Sequence, residues 1–442
     1  MKKTFFFYLL LCSLCGTVAQ ANIYFKHLGK SDGLSQISVM SISQDELGRM
    51  WFGTFEGLNC WDGTTMTVYN PSEEPDGVFT GGGVFDLVCD KRGSVFFISS
   101  NRLVRYDLQN ERFIKELSHA SCIHSGKNEV WAASRDSLFR WDISRKKFLF
   151  SYRMPQGQSI TCIGTDASNR LWIGTQTGLF CSSNLQKISP VCVIPHANIC
   201  SLYGDNRNRM WAAAFRKGMY VVENAADNHS FTVRSDIKLS SDDVRCFVED
   251  EEGCIWAGTF DGLNKIDLQG NVARYAKDTK PGSLTHSSIF SLYKDRQGSI
   301  WIGTYYGGVN YFNPQTDIFR HYASDKRRND CLSFAYVGNM AEDKRGDLWI
   351  CTEGGGLNRL DRKSGLFSYY LDGNIPAGEV FSNLKCIEYD KNQDCLYIGT
   401  HKQGYLRFDI PANKVTHYPE LHNQSINEIM LKGDTLFLLS PD

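Results

Sequence analysis

Short apolar runs recur along the chain: MWFGT at 50–54, LWIGT at 171–175, MWAAA at 210–214, IWAGT at 255–259, IWIGT at 300–304 and LWICT at 348–352. A polar segment opening on Asp precedes each run, and a second polar turn follows it. Brief apolar stretches rich in aromatic and β-branched residues, bounded by turn formers, predict buried strands. The full phrases are one unit copied: DELGRMWFGTFEGLN (45–59), DASNRLWIGTQTGLF (166–180), DNRNRMWAAAFRKGMY (205–220), DEEGCIWAGTFDGLN (250–264), DRQGSIWIGTYYGGVN (295–310) and DKRGDLWICTEGGGLN (343–358). The leading Asp can accept from backbone N–H groups two residues on, and the Gly three positions later supplies the left-handed φ of a tight turn. D-x-x-G therefore predicts a hairpin between a first and a second strand.

A second turn carries the next Gly (Gly57, Gly178, Gly262, Gly308, Gly356), a third strand follows (GLNCWD, GLNKID, GVNYFN), and a fourth ends in an aromatic (MTVYN, VARYA, IFRHY). Weaker copies stand at 90–107, 125–142 and 390–409, with a start at 432–442. The marker aromatic is then Trp51, Phe96, Trp131, Trp172, Trp211, Trp256, Trp301, Trp349, Tyr397 and Phe437, at intervals from 35 residues (Phe96 to Trp131) to 48 (Trp301 to Trp349). Such a period with four strands per copy predicts an all-β chain, a β-propeller of four-stranded antiparallel blades in which the large ring fills the wedge between sheets. A β-sandwich has no reason to repeat its wording.

A propeller must join its last blade to its first, since an open edge exposes unpaired strand backbone. IYFKHLGKSDGLS (23–35) resembles IFRHYASDKRRNDCLS (318–333), so residues 23–28 read as an outer strand for the Trp301 blade, pairing with its third strand at 308–313. On this reading a seven-bladed propeller occupies 22–315, and 316–442 is a partial second propeller of about two and a half blades, opened by Phe319 to Tyr322.

The N-terminus adds a compartment. Lys2-Lys3, the apolar FFFYLLLCSL (5–14) and Ala19-Gln20-Ala21 have the order of a cleaved export signal over residues 1–21. A lipid on Cys12 or Cys15 is the rival, with bulky Leu before each. No later apolar run approaches a membrane span. Formal net charge is −1, from 48 basic and 49 acidic residues, and no single-sign run appears, which removes nucleic acid and anionic membrane surfaces as expected partners. The lone C-x-x-C lies in the signal, and cysteines such as Cys162, Cys200, Cys246 and Cys386 fall in strand-like runs, where they read as buried free thiols. Metal and cofactor are not expected.

The phrase D-x-x-G-x-[LIM]-W-[IF]-G-T-x-x-G-L-N, with the Leu-Ser step ahead of inner strands (Leu34-Ser35, Leu332-Ser333, and Ser283-Leu284 reversed), resembles the two-component regulator propeller family. WD40 and kelch patterns fit poorly. The resemblance implies the periplasmic sensor region of a hybrid two-component histidine kinase that detects glycan-derived oligosaccharides. In the family, repeats continue to two seven-bladed propellers, an Ig-like domain, a membrane helix and a kinase, and the sensors pair as homodimers.

In a propeller the turns joining second to third strands rim one mouth of the central funnel, and these are the variable part of the repeat. Candidate ligand-binding residues are Phe55, Glu56, Gln176, Arg216, Lys217, Phe260, Asp261, Tyr305, Tyr306 and Glu353, aromatics offering faces to sugar rings and charges offering hydrogen bonds. Glu56, Asp261 and Glu353 could pair as acid and base in a propeller glycan lyase or hydrolase, but their separation is not readable and no nucleophile elbow, metal-binding His pattern or phosphate loop occurs. No catalytic residue is assigned; a scaffold without a small ligand is the third alternative.

Overall fold

The computed structural model describes residues 23–70, 77–79, 81–90, 92–127, 129–155, 157–224, 230–279, 282–315, 322–324, 329–371 and 381–441. The expected export signal and most of the outer strand expected at 318–322 lie outside the described residues. The chain is divided into one compact unit of residues up to 278 with 282–317, and another of 279–281 with 318 onward.

The first unit contains seven four-stranded antiparallel sheets. Their innermost strands are Val39–Gln44, Val84–Cys89, Cys122–Ser125, Ile160–Thr165, Ile199–Gly204, Val244–Glu249 and Ile289–Lys294. Each packs beside the next, and the seventh packs beside the first, so the sheets form a closed ring. Strand Lys26–Leu28 closes it, in the pairing read from the sequence: Lys26, His27 and Leu28 lie opposite Tyr311, Asn310 and Val309. The second unit contains the four-stranded Trp349 and Tyr397 sheets and a two-stranded sheet, Glu428–Lys432 with Thr435–Leu439.

Local chemistry explains each letter of the repeat. Asp45 Oδ1 accepts from the N–H groups of Leu47 and Arg49, both at 3.0 Å, and Gly48 has φ +88°. Asn169 and Asn208 take the same left-handed position in their copies, with φ of +61° and +63°. The sequence reading gave Asp only this turn. Its second oxygen also accepts the indole N–H six residues on, in the pairs Asp45–Trp51, Asp166–Trp172, Asp205–Trp211, Asp250–Trp256, Asp295–Trp301 and Asp343–Trp349, at 2.7–3.0 Å. The rings are buried between sheets: Trp51 packs with Val84, Val95, Val104 and Tyr106 of the following sheet.

The Gly of W-x-G-T answers a close approach between sheets. A Cβ on Gly258 would stand 2.6 Å from both Cys246 Sγ and Ile289 Cγ2 of the neighbouring innermost strand.

Three details differ from the sequence reading. The Trp131 hairpin is one residue shorter: Gly126 N–H bonds to the Glu129 carbonyl at 2.8 Å, whereas Asp45 N–H bonds to that of Arg49. Gly126 thus occupies the Asp position, and the buried Trp131 Nε1 has no partner. The step before the Trp301 sheet is Leu284-Thr285 rather than Ser283-Leu284, because the hydroxyl must reach Asn310. Finally, Phe437, on the two-stranded sheet, is 49% exposed, unlike the buried tryptophans of the other copies.

Candidate functional site

The turns between second and third strands lie at the same end of each sheet as the start of the innermost strand, because the first residue of that strand pairs with the last residue of the second: Val39 with Thr54, Val244 with Thr259, Ile289 with Thr304. The turns are held from below. Thr54, Thr259 and Thr304 donate their hydroxyls to the carbonyls of Gly57, Gly262 and Gly308 at 2.8–3.1 Å. Phe260 N–H bonds to the Asp243 carbonyl and Tyr305 N–H to that of Ser288, each at 3.0 Å. Aromatic side chains on these turns therefore stand on fixed backbone.

Six of the seven innermost strands contain a bulge after their first residue, and the extra residues are Met40, Phe85, Thr161, Cys200, Arg245 and Phe290. A bulge re-aims a side chain at the rim of a closed sheet structure. Sequence reasoning missed this second ring of variable residues. Its signal was present: V-M-S, V-F-D, I-T-C, I-C-S, V-R-C and I-F-S keep a β-branched residue first and vary the second.

The two sets meet on neighbouring sheets. The Arg245 guanidinium lies 5.2 Å from the Phe260 ring centre and 4.5 Å from that of Phe290. It donates to Asp243 at 2.9 Å and to Ser288 at 3.0 Å, so its charge is engaged while it meets two rings. Phe290 contacts Tyr305 at 5.5 Å, and Tyr305 contacts Tyr306 at 4.1 Å. The hydrogen bond with Tyr306 raises the Tyr305 pKa. His286 lies 6.1 Å from Tyr305, and its Nδ1 accepts from Ser288 N–H. Burial and the nearby Lys277 lower its pKa, which leaves the imidazole neutral and able to accept that bond. On the next sheet, Phe55 meets Phe85 at 5.8 Å. Phe85, Phe260 and Tyr306 are each more than half exposed.

Of the sequence candidates, Phe55, Glu56, Phe260, Asp261, Tyr305 and Tyr306 stand on the turns of three consecutive sheets, those of Trp256, Trp301 and Trp51. Gln176 belongs to the Trp172 sheet, while Arg216 and Lys217 belong to the Trp211 sheet, where Arg216 covers Phe215. Glu353 is in the second unit, paired with Asn383, and is not part of this ring. Asp261 and Glu56 are separated by the whole Trp301 sheet.

Beneath the turns lies a buried polar triad. Ser35 N–H donates to Asn59 Oδ1 at 2.9 Å, Asn59 Nδ2 donates to Ser35 Oγ at 2.9 Å, and that hydroxyl meets Thr54 Oγ1 at 3.0 Å. The set recurs as Ser240, Asn264 and Thr259, and as Ser333, Asn358 and Thr352; Thr285 and Asn310 repeat its two-way bond. It ties the loop entering each innermost strand to the third strand.

Among the described residues, Asp250, Glu252 and Cys254 could gather a cation, but Asp250 Oδ2 already accepts from Trp256 and faces Lys265 at 3.5 Å. No disulfide joins the described cysteines, and burial pushes most of their thiols well above the ordinary range, Cys246 to about 12. No helix among the described residues is long and apolar enough to cross a membrane.

Residues 33–56, 238–261, 283–306 and 331–354 match the family described as two component regulator propeller. These are the four copies in which a Ser or Thr after Leu is held by an Asn of the third strand. A 54-residue stretch is 46% identical to histidine kinase P4 of Formosa agariphila, covering 12% of this chain and 4% of that protein. The fold resembles the extracellular domain of a putative hybrid two component system from B. thetaiotaomicron, with TM-score 0.58 and 20% identity over 95% of this chain and 58% of that one. It also resembles virginiamycin B lyase from Staphylococcus aureus, with TM-score 0.52 and 14% identity over 65% of this chain and 98% of the lyase. The chain thus spans less than two thirds of the length of each of the first two relatives, 4% of one and 58% of the other.

Proposed function

We propose that this chain, which carries two component regulator propeller repeats, is the ligand-receiving part of a periplasmic sensor in a hybrid two-component system and detects glycan-derived oligosaccharides. The observation that carries the reading is the contrast within each copy. The Asp–Trp bond recurs in six copies, and four of these also share the Thr–Gly turn and the buried Asn, while the turn and bulge residues above them vary and bring exposed aromatic rings to one mouth of the ring of sheets. A stable frame under a variable rim suits recognition. Occupancy would be relayed by favouring one arrangement of this region against its neighbours, limited to the ligand's differential affinity for the two arrangements.

The test is a panel of neutral, amino and acidic oligosaccharides, read by thermal shift and confirmed by calorimetry. A saturable rise in melting temperature with at least one glycan supports the sensor reading; no response across the panel sinks it in favour of a scaffold. Release of shortened or unsaturated sugars from a bound glycan would instead favour a lyase or hydrolase.

A further inference from the structure

The rim is not equivalent all round. Three consecutive sheets, those of Trp256, Trp301 and Trp51, combine an aromatic first turn residue (Phe260, Tyr305, Phe55) with a two-way Ser/Thr–Asn bond beneath it. At the corresponding turn positions the Phe96, Trp131 and Trp172 sheets carry Ser100, Arg135 and Gln176. Across the first sector the contacts run unbroken from Phe260 through Arg245 and Phe290 to Tyr305 and Tyr306, with neighbours 4.1–5.5 Å apart. Tyr306 N–H then reaches Ser38 Oγ on the Trp51 sheet at 3.3 Å.

We infer that this arc is the saccharide subsite and that it takes uncharged sugar chains; the inference rests on the sensor reading above. Exposed rings on fixed backbone bind the apolar C–H faces of a pyranose with little ordering cost. The polar groups among them are acceptors or are already engaged. Asp261 and Glu56 stand at the turns, His286 Nδ1 is already engaged by Ser288 N–H, so that its neutral ring has only the Nε2–H to donate, and Arg245 is satisfied by Asp243 and Ser288. The two carboxylates outnumber Lys277, the cation beside His286. A uronic or sulfated chain would meet carboxylates with no free guanidinium to pair with, whereas sugar hydroxyls can donate to them.

The experiment is calorimetry on the chain with neutral hexaoses of glucose, mannose and xylose, and with a galacturonate hexamer of equal length. Variants are Tyr306→Ala and Phe290→Ala on the arc, and Arg135→Ala with Gln176→Ala across the ring, each checked by its melting curve. A neutral hexaose should bind, weaken about tenfold or more in Kd on losing either arc ring, and be unaffected by the opposite pair. Should Phe290→Ala fail to fold, Tyr306→Ala, whose ring is exposed, and hydrogen-exchange protection of residues 285–290 and 304–308 at saturating sugar carry the test. Saccharide binding that ignores the arc variants, or tighter binding of galacturonate, overturns the subsite and leaves the sensor reading standing. Failure of every saccharide to bind overturns both.

Discussion

Ser35 and Asn59 hold each other by two hydrogen bonds across 24 residues of sequence, backbone N–H to amide oxygen and amide nitrogen to hydroxyl, each 2.9 Å long. Asn59 is fully buried, so these bonds are protected from exchange with water. They turn a loop into a strut that sets where the innermost strand begins, and with it where Met40 and the turn at Phe55 stand.

Replacing the equivalent Asn264 by Ala should therefore cost about 2 kcal/mol or more, because Ser240 N–H and Oγ lose their buried partner. Denaturant titration measures the loss, and amide exchange should rise at 240–243. A change within about 0.5 kcal/mol would show the triad to be incidental.

The Asp–Trp pairs allow an internal comparison. Trp172 donates to Asp166 at 2.7 Å, whereas Trp131 is equally buried and donates to nothing. Trp→Phe at either position loses similar apolar area, but only the first breaks a bond to a carboxylate. Trp172→Phe should exceed Trp131→Phe by about 1.5–3 kcal/mol in unfolding free energy. Equal costs would mean that the indole N–H contributes nothing in the repeat.

Two groups at sheet boundaries titrate in opposition. Asp86 accepts from the Ile123 N–H of the next sheet, and burial raises its pKa to about 6. His124 meets Thr165 Oγ1 at 2.9 Å, and burial lowers its pKa to about 4. As pH rises from 4 to 6, the unfolded chain loses the Asp86 proton before the folded one does, so this group's share of stability falls. Over the same window the unfolded chain holds the His124 proton that the folded chain has shed, so that share rises. The two slopes offset each other. Asp86→Asn should leave stability climbing with pH between 4 and 6, and His124→Gln should leave it falling; parallel profiles for both variants would refute the assignment.

Ring closure has its own anchor. Phe25 is 2% exposed and meets the rings of Phe312 at 5.2 Å and Tyr275 at 6.1 Å. Phe25→Ala should cost about 3–5 kcal/mol and raise exchange along 309–312, since the strand that covers that edge comes loose. A melting curve unchanged by the substitution would detach closure from residues 23–28.

Much of this was legible because a repeat averages out local noise. Asp45, Gly48, Trp51, Gly57 and their copies fixed the hairpins, the four-strand unit and the ring, and the likeness of 23–35 to 318–333 located the closing strand. Glu353 shares a turn position with the rim residues in sequence, yet it belongs to another unit. The bulge residues were less legible still, because a one-residue shift in register redirects a side chain without altering the apolar pattern.

What the sequence determined by itself was periodic: strand type, turn type and the buried ring of each copy, all set by interactions within about fifteen residues. What the tertiary structure alone decided was relational: the Ser–Asn strut across 24 residues of sequence, and Arg245 meeting the rings of both Phe260 and Phe290. Those depend on chain segments that meet only when neighbouring strands and sheets pack, and no local pattern records which side chains will face each other across that boundary.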